Sequence, residues 1–369
     1  MNTATICRKS AIGSGRPEPM RILVVNGGSS SFKCRLDEVG AGPLPTEPPK
    51  PAWEAHIDLE PGERLSGTLD RTLNSVPGKV DIVGHRIVHG GPKYRTPVFL
   101  ALEVRATIAL EAEVAPTHNR FELAAIDAVD RVFGTQARQA AVFDAGFHTT
   151  LEPPAYVYPG PYDWLSEGIR RYGFHGISHQ YASRRAAEIL GRESLRLIVC
   201  HLGNGASLAA VRDGKSVDTT MGFTPLEGLM MGTRCGSIDP AIVVYLQRHR
   251  GYSADQLDGI LNRESGLLGV SGVSGDMREI LAAIEQGNPR AKLAFDIYAH
   301  RLCREIGAMA AVLGSVDAIA FTGGVGENCA PLRERVLNQI KFLKDAQVLV
   351  IHSEEEWEIA RECQRLAKA

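Results

Sequence analysis

Residues 24–33 read VVNGGSSSFK, an apolar run followed by two glycines, three serines and a lysine. The composition suits phosphate, because glycine lets a ligand approach bare backbone N–H groups. It is not a Walker A loop, which needs glycine directly before a Lys-Ser/Thr pair; here Phe32 precedes Lys33 and Cys34 follows it. The pattern recurs half a chain later. Residues 20–40 run as a strand (RILVV), a turn (NGGSSS) and an alternating strand (FKCRL), and residues 195–214 run as LRLIVC, HLGNGAS and LAAVRDG, with KSVDTT as a third strand. Asp213 and Gly214, between alternating segments, predict a two-residue hairpin. A repeat this long is no solenoid and predicts two related domains, each offering a glycine-rich turn to a ligand.

Elsewhere helical patterns alternate with short strands, the mark of an α/β protein. Asp239 and Pro240 predict a helix start, Ser253 and Gln256 a capping box, and residues 291–313 a helix by apolar spacing. A buried-type strand at 316–321 runs into TGGVGEN and then a helical pattern, an order that suits a nucleotide contact. Residues 42–51, rich in proline, predict a surface loop. With the boundary placed in the polar segment 148–154, the expected organisation is an extension (1–19), an N-terminal domain (20–148) and a C-terminal nucleotide-binding domain (149–355). A closing helix, 356–369, is expected to pack on the first domain.

The chain has 369 residues and 44% apolar composition, enough for one large core or two ordinary ones. Basic and acidic residues nearly balance, 41 against 43, with no basic block and few aromatics, so a small molecule is expected as partner and nucleic acid is not. Seven cysteines lie scattered without a C-x-x-C pair, which reads as reduced cytoplasmic thiols and neither a disulfide frame nor a zinc site. The longest apolar tract, 308–321, is broken by Gly314 and Asp317 and is too short for a bilayer span, so no membrane association is expected. Residues 1–19 lack the apolar heart of a secretory signal; they read as a disordered extension, with an acid-poor transit segment as the alternative.

Eight motifs follow one another: VVNGGSSSFK, VGHRIVHGG, APTHN, VFDAGFH, RRYGFHGISH, HLGNGASLAAVRDGKSVDTTMGFTPLEGLMMGTR, GVSGDMRE and FTGGVGEN. In these motifs and their order the sequence resembles the acetate kinase family, which includes propionate and butyrate kinases, over nearly the whole chain from Met20 onward. The resemblance implies two duplicated RNase H-like domains of the actin, Hsp70 and sugar-kinase fold, with facing hairpin turns gripping phosphates across an interdomain cleft. It also implies transfer of the ATP γ-phosphoryl group to acetate or another short-chain carboxylate, with Mg2+ (or Mn2+) as cofactor, in a homodimer. Such a reaction asks a protein mainly for alignment and for positive charge around the equatorial oxygens.

Roles carry over residue by residue as implications of the resemblance. Arg86 is matched to the group that fixes the acceptor carboxylate and Arg234 to the guanidinium that reaches the phosphoryl, work for which a planar donor fork is suited. His175 is matched to a hydrogen-bond donor to the transition state, and Asp144 to an aspartate that orients the acceptor or a magnesium-bound water. Asn26 and Glu355 match metal ligands of hard oxygen type. Val88, Thr117, Phe174 and Pro225 match the acceptor pocket. On the nucleotide side, Lys33 matches a phosphate contact, and His201, Leu202, Gly203, Asn204 and Gly205 the second turn. Asp276, Met277, Arg278, Gly324, Val325, Gly326, Glu327 and Asn328 match the adenosine side, while His118 and His179 match histidines that orient neighbours.

Single residues also admit ordinary readings: Arg86 as an interdomain ion pair, the histidines as core groups, Asp144 as a turn cap. Glu355 has the strongest of these, since Ser353 and Glu356 have capping-box spacing and an acidic first turn complements a helix dipole. The chain also departs from the family, and on these departures a catalytically weakened nucleotide-binding module of the actin/Hsp70 type is the alternative expectation. Where relatives read GTRSGDIDP it has GTRCGSIDP, so Cys235 and Ser237 flank Arg234 and an acidic partner for that arginine is expected to be missing. Thr117 stands where APLHN supplies leucine, PTNEE has become HSEEE, and the 342–348 segment is shortened.

Overall fold

The structure, a computed structural model, describes residues 18–27, 31–58, 65–111 and 116–369, giving the backbone alone for residues 58, 65, 66 and 116–120. Residues 28–30 of the first turn and residues 1–17 of the extension lie outside it, as do the side chains of Thr117 and His118.

Two sheets organise the chain. The first contains β1 (Met20–Gly27), β2 (Ser31–Val39), β3 (Trp53–Asp58), β4 (Ile82–Ile87), β5 (Val98–Phe99) and β6 (Arg138–Phe143) in the order β3-β2-β1-β4-β6-β5. The second contains β7 (Arg196–Leu202), β8 (Ala206–Arg212), β9 (Lys215–Thr219), β10 (Ala318–Thr322) and β11 (Gln347–Val350), ordered β11-β10-β7-β8-β9. In each, a three-strand antiparallel meander is extended by two parallel strands on the side of its first strand. The sequence repeat is therefore a repeat of topology, with β1 and β7 in equivalent central places. The β8–β9 hairpin turns on Asp213 and Gly214, both at positive φ (51° and 74°), the backbone that a two-residue turn of this hand requires.

Helices fill the connections: α1 (Leu65–Asn74), α2 (Leu102–Leu110), α3 (Pro116–Phe133), α4 (Pro153–Tyr156), α5 (Gly176–Leu190), α6 (Ala241–Arg250) and α7 (Ala254–Arg263). There follow α8 (Gly266–Ser271), α9 (Met277–Glu285), α10 (Pro289–Leu313), α11 (Gly323–Asn328), α12 (Ala330–Gln339) and α13 (Glu355–Lys368). The capping box of Ser253 and Gln256 forms at α7, and α10 spans the expected helix. The glycine run after β10 is itself helical, as α11, because β10 delivers its chain directly into a turn that α12 continues.

The central strands are buried on both faces. Leu23 and Val25 of β1 join a core with Phe32 and Leu36 of β2, while Ile22 and Val24 face a second core shared with α5, α13, β7 and β8. That shared core couples the two sheets: Leu197 and Val199 of β7 and Trp357 and Ile359 of α13 lie in it together. A Cβ on Gly84 would sit 2.6 Å from Cys363 Sγ and 2.8 Å from Ile359, so glycine lets α13 press onto β4 of the first sheet.

The start of α13 corrects one expectation. Glu354 stands at the cap position without a side-chain cap, the Glu356 carboxylate accepts from Asn26 Nδ2 at 2.8 Å, and the Ser353 N–H donates to Glu327. The capping box of Ser353 and Glu356 does not form, because both residues are engaged across the cleft.

Candidate active site

Strand ends from both sheets meet in one cleft. Asn26 closes β1, Arg86 lies near the end of β4, and Asp144 follows β6, so parallel pairing brings the three together. Arg86 Nη2 donates to Asp144 Oδ2 at 2.9 Å, and Arg86 Nη1 reaches the Gly27 carbonyl at 3.4 Å. Burial works against the charge on Arg86, but Asp144 and then Glu355 overcome it and hold the guanidinium above its ordinary pKa. Arg86 Nε and Asp144 Oδ1 are buried without hydrogen-bond partners among the described residues, leaving polar capacity open beside the pair.

Asp144 ties this half to the other. Its Oδ2 also accepts from the His175 N–H at 3.0 Å, and its carbonyl accepts from Gly176. His175 sits at the cap of α5 with φ 55°, a left-handed conformation uncommon for a residue with a side chain. Its Nδ1 lies 2.9 Å from Ser207 Oγ, and its ring lies against that of His201, centroids 4.3 Å apart. Burial first, then His201 and Arg86, push its pKa well below the usual value, so it is neutral.

The second turn, Gly203 to Gly205, joins β7 to β8 and closes on itself through a Gly203 N–H to Gly205 carbonyl bond of 2.8 Å. A Cβ on Gly205 would lie 3.2 Å from His175 Nε2 and 3.5 Å from Arg234 Nη1, so imidazole and guanidinium point at the same turn. Arg234 Nη1 donates to the Pro225 carbonyl at 3.3 Å; no carboxylate pairs with it among the described residues. Burial and then Arg86 lower its pKa. Ser237 accepts from the Gly228 N–H and gives its own carbonyl to Arg301, bracing the loop that carries Arg234 without touching the guanidinium.

Val88 and Phe174, both almost fully buried, lie in one apolar cluster beside these charges. The Val88 N–H donates to Glu122 Oε1 at 2.9 Å; Glu122 is itself buried, and burial pushes its carboxyl up to about 8. Its Oε2 has no hydrogen-bond partner among the described residues.

Two cavities open from this point. One of about 690 Å³ is lined by Lys33, His201, Gly324, Glu327, Asn328 and Glu354 to Glu356, together with β2 and β3 residues. The other, about 560 Å³, is lined by Gly203, Asn204, Asp276, Met277, Arg278, Gly324, Val325 and Asn328. Gly324 and Asn328 belong to both walls. Leu202, Met277 and Gly326 are buried, so Leu202 and Met277 offer a ligand chiefly backbone. Asp276 caps α9 and pairs with the exposed Arg278, whereas Glu327 is engaged by His352 Nδ1 at 2.6 Å. Asn26 Nδ2 also reaches Glu355 Oε2 at 3.2 Å, joining residues 329 apart in sequence.

The structure thus gathers Asn26, Arg86, Asp144, His175, His201, Gly205, Arg234 and Glu355 around one cleft. Three neighbours of these residues carry little or no signal in the sequence. Glu356 was hidden by its capping-box spacing, Ser207 by lying in the strand after the glycine turn, and Glu122 carried one signal, an acid on the apolar face of a helix.

A model of the acetokinase family matches residues 63–354. The chain belongs to the acetokinase family. An acetate kinase of Gloeobacter violaceus is 50% identical over 93% of this chain and 98% of its own length, and one of a Cyanothece species is 47% identical over 94% and 98%. Among solved acetokinase-like structures, the acetate kinase of Porphyromonas gingivalis superposes with a TM-score of 0.81 at 36% identity, covering 94% of this chain and all of its own. A propionate kinase from Francisella tularensis gives 0.83 at 34%, covering 93% and 98%. The two sheets are those of the actin-like ATPase fold that these acetokinase-type kinases share.

Proposed function

We propose that this chain is an acetate kinase that transfers the γ-phosphoryl group of ATP directly and reversibly to acetate, forming acetyl phosphate and ADP. The observation that carries the reading is that Arg86, His175 and Arg234 converge through Asp144 and Gly205. Relatives bearing the acetate kinase name near half identity support acetate, and the propionate kinase neighbour supports a close homologue as the second substrate. One methylene changes discrimination by only about 1–3 kcal/mol.

In this reading the acceptor carboxylate lies against Arg86, with Val88, Phe174 and Pro225 around its apolar end. Asp144 holds Arg86 by one oxygen and keeps the other for the acceptor or a bound water. The phosphoryl group passes between the acceptor and the Gly203–Gly205 turn, where Arg234 and the neutral His175 meet its equatorial oxygens. Charge that spreads there in the transition state finds donors already in place. Lys33 and the His201–Gly205 turn hold the remaining phosphates, and the smaller cavity takes the adenosine, with residues 20–148 and 149–355 as the two domains closing over it.

A magnesium ion suits the oxygen donors at the mouth of the larger cavity. Two carboxylates, Glu355 and Glu356, are drawn to one amide there, and a nucleotide-borne Mg2+ asks for only one or two protein oxygens. Asn26 and Glu355 would hold it, and when bound it neutralises charge on the β- and γ-phosphates.

The chain is further assigned to a cytoplasmic homodimer. Six thiols are free among the described residues, no described helix is long and apolar enough to cross a membrane, and α6 exposes Ile242, Val244 and Tyr245 with none of its side chains buried. Hydroxamate trapping of acyl phosphate with acetate, propionate and butyrate decides the reaction. The expected result is Mg2+-dependent product, greatest with acetate; none with any of the three refutes it.

A further inference from the structure

His175 does not meet the cleft unaided. Its Nδ1 lies 2.9 Å from Ser207 Oγ, and the same oxygen lies 2.7 Å from His179 Nε2. His175 and His179 are one helical turn apart at the start of α5. Ser207, on β8, is fully buried, and so is His179. His179 Nδ1 has no hydrogen-bond partner among the described residues.

A hydroxyl carries one proton, so Ser207 donates to one imidazole and accepts from the other. If His175 gave Nδ1–H to Ser207, the serine would donate to His179 Nε2. His179 would then bury an Nδ1–H with nothing to receive it, and His175 would turn a bare lone pair toward an anionic phosphoryl. In the opposite order His179 donates Nε2–H to Ser207 and Ser207 donates to His175 Nδ1. The unpartnered atom is then a lone pair, and His175 presents Nε2–H. Orphaned buried N–H donors are the rarer and costlier defect. A doubly protonated ring is disfavoured in both histidines, first by burial and then by the adjoining histidines, with Arg86 and Arg234 adding to the effect at His175.

One neighbouring pair follows the same plan, and a second makes the same serine–imidazole contact. His148 Nε2 faces the Phe174 carbonyl at 3.1 Å, so it must donate there and its Nδ1 must accept from Ser216 Oγ at 2.8 Å. His201 Nδ1 meets Ser178 Oγ at 2.7 Å.

We propose that Ser207, itself held by His179, is a positioning residue that locks His175 in its Nε2–H tautomer and so makes it a neutral donor toward the transferring phosphoryl group. The functional half rests on the reading of His175 as that donor; the tautomer does not.

Histidine-selective ¹⁵N NMR of the full chain tests it, with His175→Gln assigning the resonance. In the wild-type protein His175 Nδ1 is expected to be pyridine-like and Nε2 pyrrole-like. Ser207→Ala is expected to mix the tautomers and lower kcat by roughly 10- to 100-fold, with the KM values for ATP and acetate within about twofold. His179→Gln, whose amide can still donate to Ser207, is expected to keep most of the rate. An Nδ1–H tautomer in the wild-type protein overturns the proposal, whether or not Ser207→Ala folds. So does Ser207→Ala with tautomer or kcat unchanged. If His175→Gln itself keeps full kcat, the donor reading fails, while the spectrum still decides what Ser207 does.

Discussion

In the proposed reading Arg234 is the residue on which the chemistry leans hardest, because it lies at the second turn and no carboxylate among the described residues neutralises it. Arg234→Ala is expected to lower kcat by roughly 10³-fold or more, the scale of an arginine acting on a transferring phosphoryl group; a loss under about tenfold in steady-state assays assigns it a structural role. Glu122 gives a second test. Burial raises its carboxyl from 4.5 to about 8, so the stability it contributes is complete below about pH 4.5 and is lost as pH rises through 8. Glu122→Gln keeps an acceptor for the Val88 N–H and removes the ionisation. Its free energy of unfolding, from urea titrations, is expected to exceed that of the wild type by a margin that widens from pH 5 to pH 8 and reaches on the order of a few kcal/mol. A gap independent of pH contradicts the assignment. At this scale the sequence was most legible where motifs were dense: Arg86, Asp144, His175 and Arg234 each stood in a dense run. Ser207 and Glu122 were not legible, because a serine in a strand and a glutamate on a helix are common and only packing makes them special.

The repeated β-meander was readable from the sequence because its turns need glycine and its strands alternate, as Asp213 and Gly214 show. The start of α13 was misread, since Ser353 and Glu356 satisfy a local rule that tertiary contacts with Asn26 and Glu327 override. Nor did the sequence say that Gly84 faces α13. That contact is tight enough to test: a Cβ there would meet Cys363 Sγ at 2.6 Å and Ile359 at 2.8 Å. Gly84→Ala is expected to destabilise the fold by about 1–3 kcal/mol in denaturant unfolding, the usual cost of overpacking, and Cys363→Ala in the same chain to recover part of it. Independence of the two changes contradicts the packing of α13 on β4.

For the whole molecule, the buried histidines set the acid limit. His85, His89 and His148 are held near 4, and His175, His179 and His201 are also lowered, in every case with burial as the first cause. Depressed values mean that the stability of these groups is present above about pH 6.5 and is lost as pH falls through about 4. The free energy of unfolding is expected to fall across that window with a slope of more than one proton taken up, read from urea titrations at a series of pH values; a flat profile contradicts it. In the proposed reading, the neutral His175 and the guanidiniums of Arg86 and Arg234, gathered in one cleft, are what the reaction uses. Its most direct test is a crystal structure with MgADP, acetate and a trigonal phosphoryl mimic such as aluminium fluoride. The expected result is one planar group hydrogen-bonded by Arg86, Arg234 and His175 Nε2, with acetate in line behind it. A mimic bound in the cleft out of reach of those three side chains contradicts it.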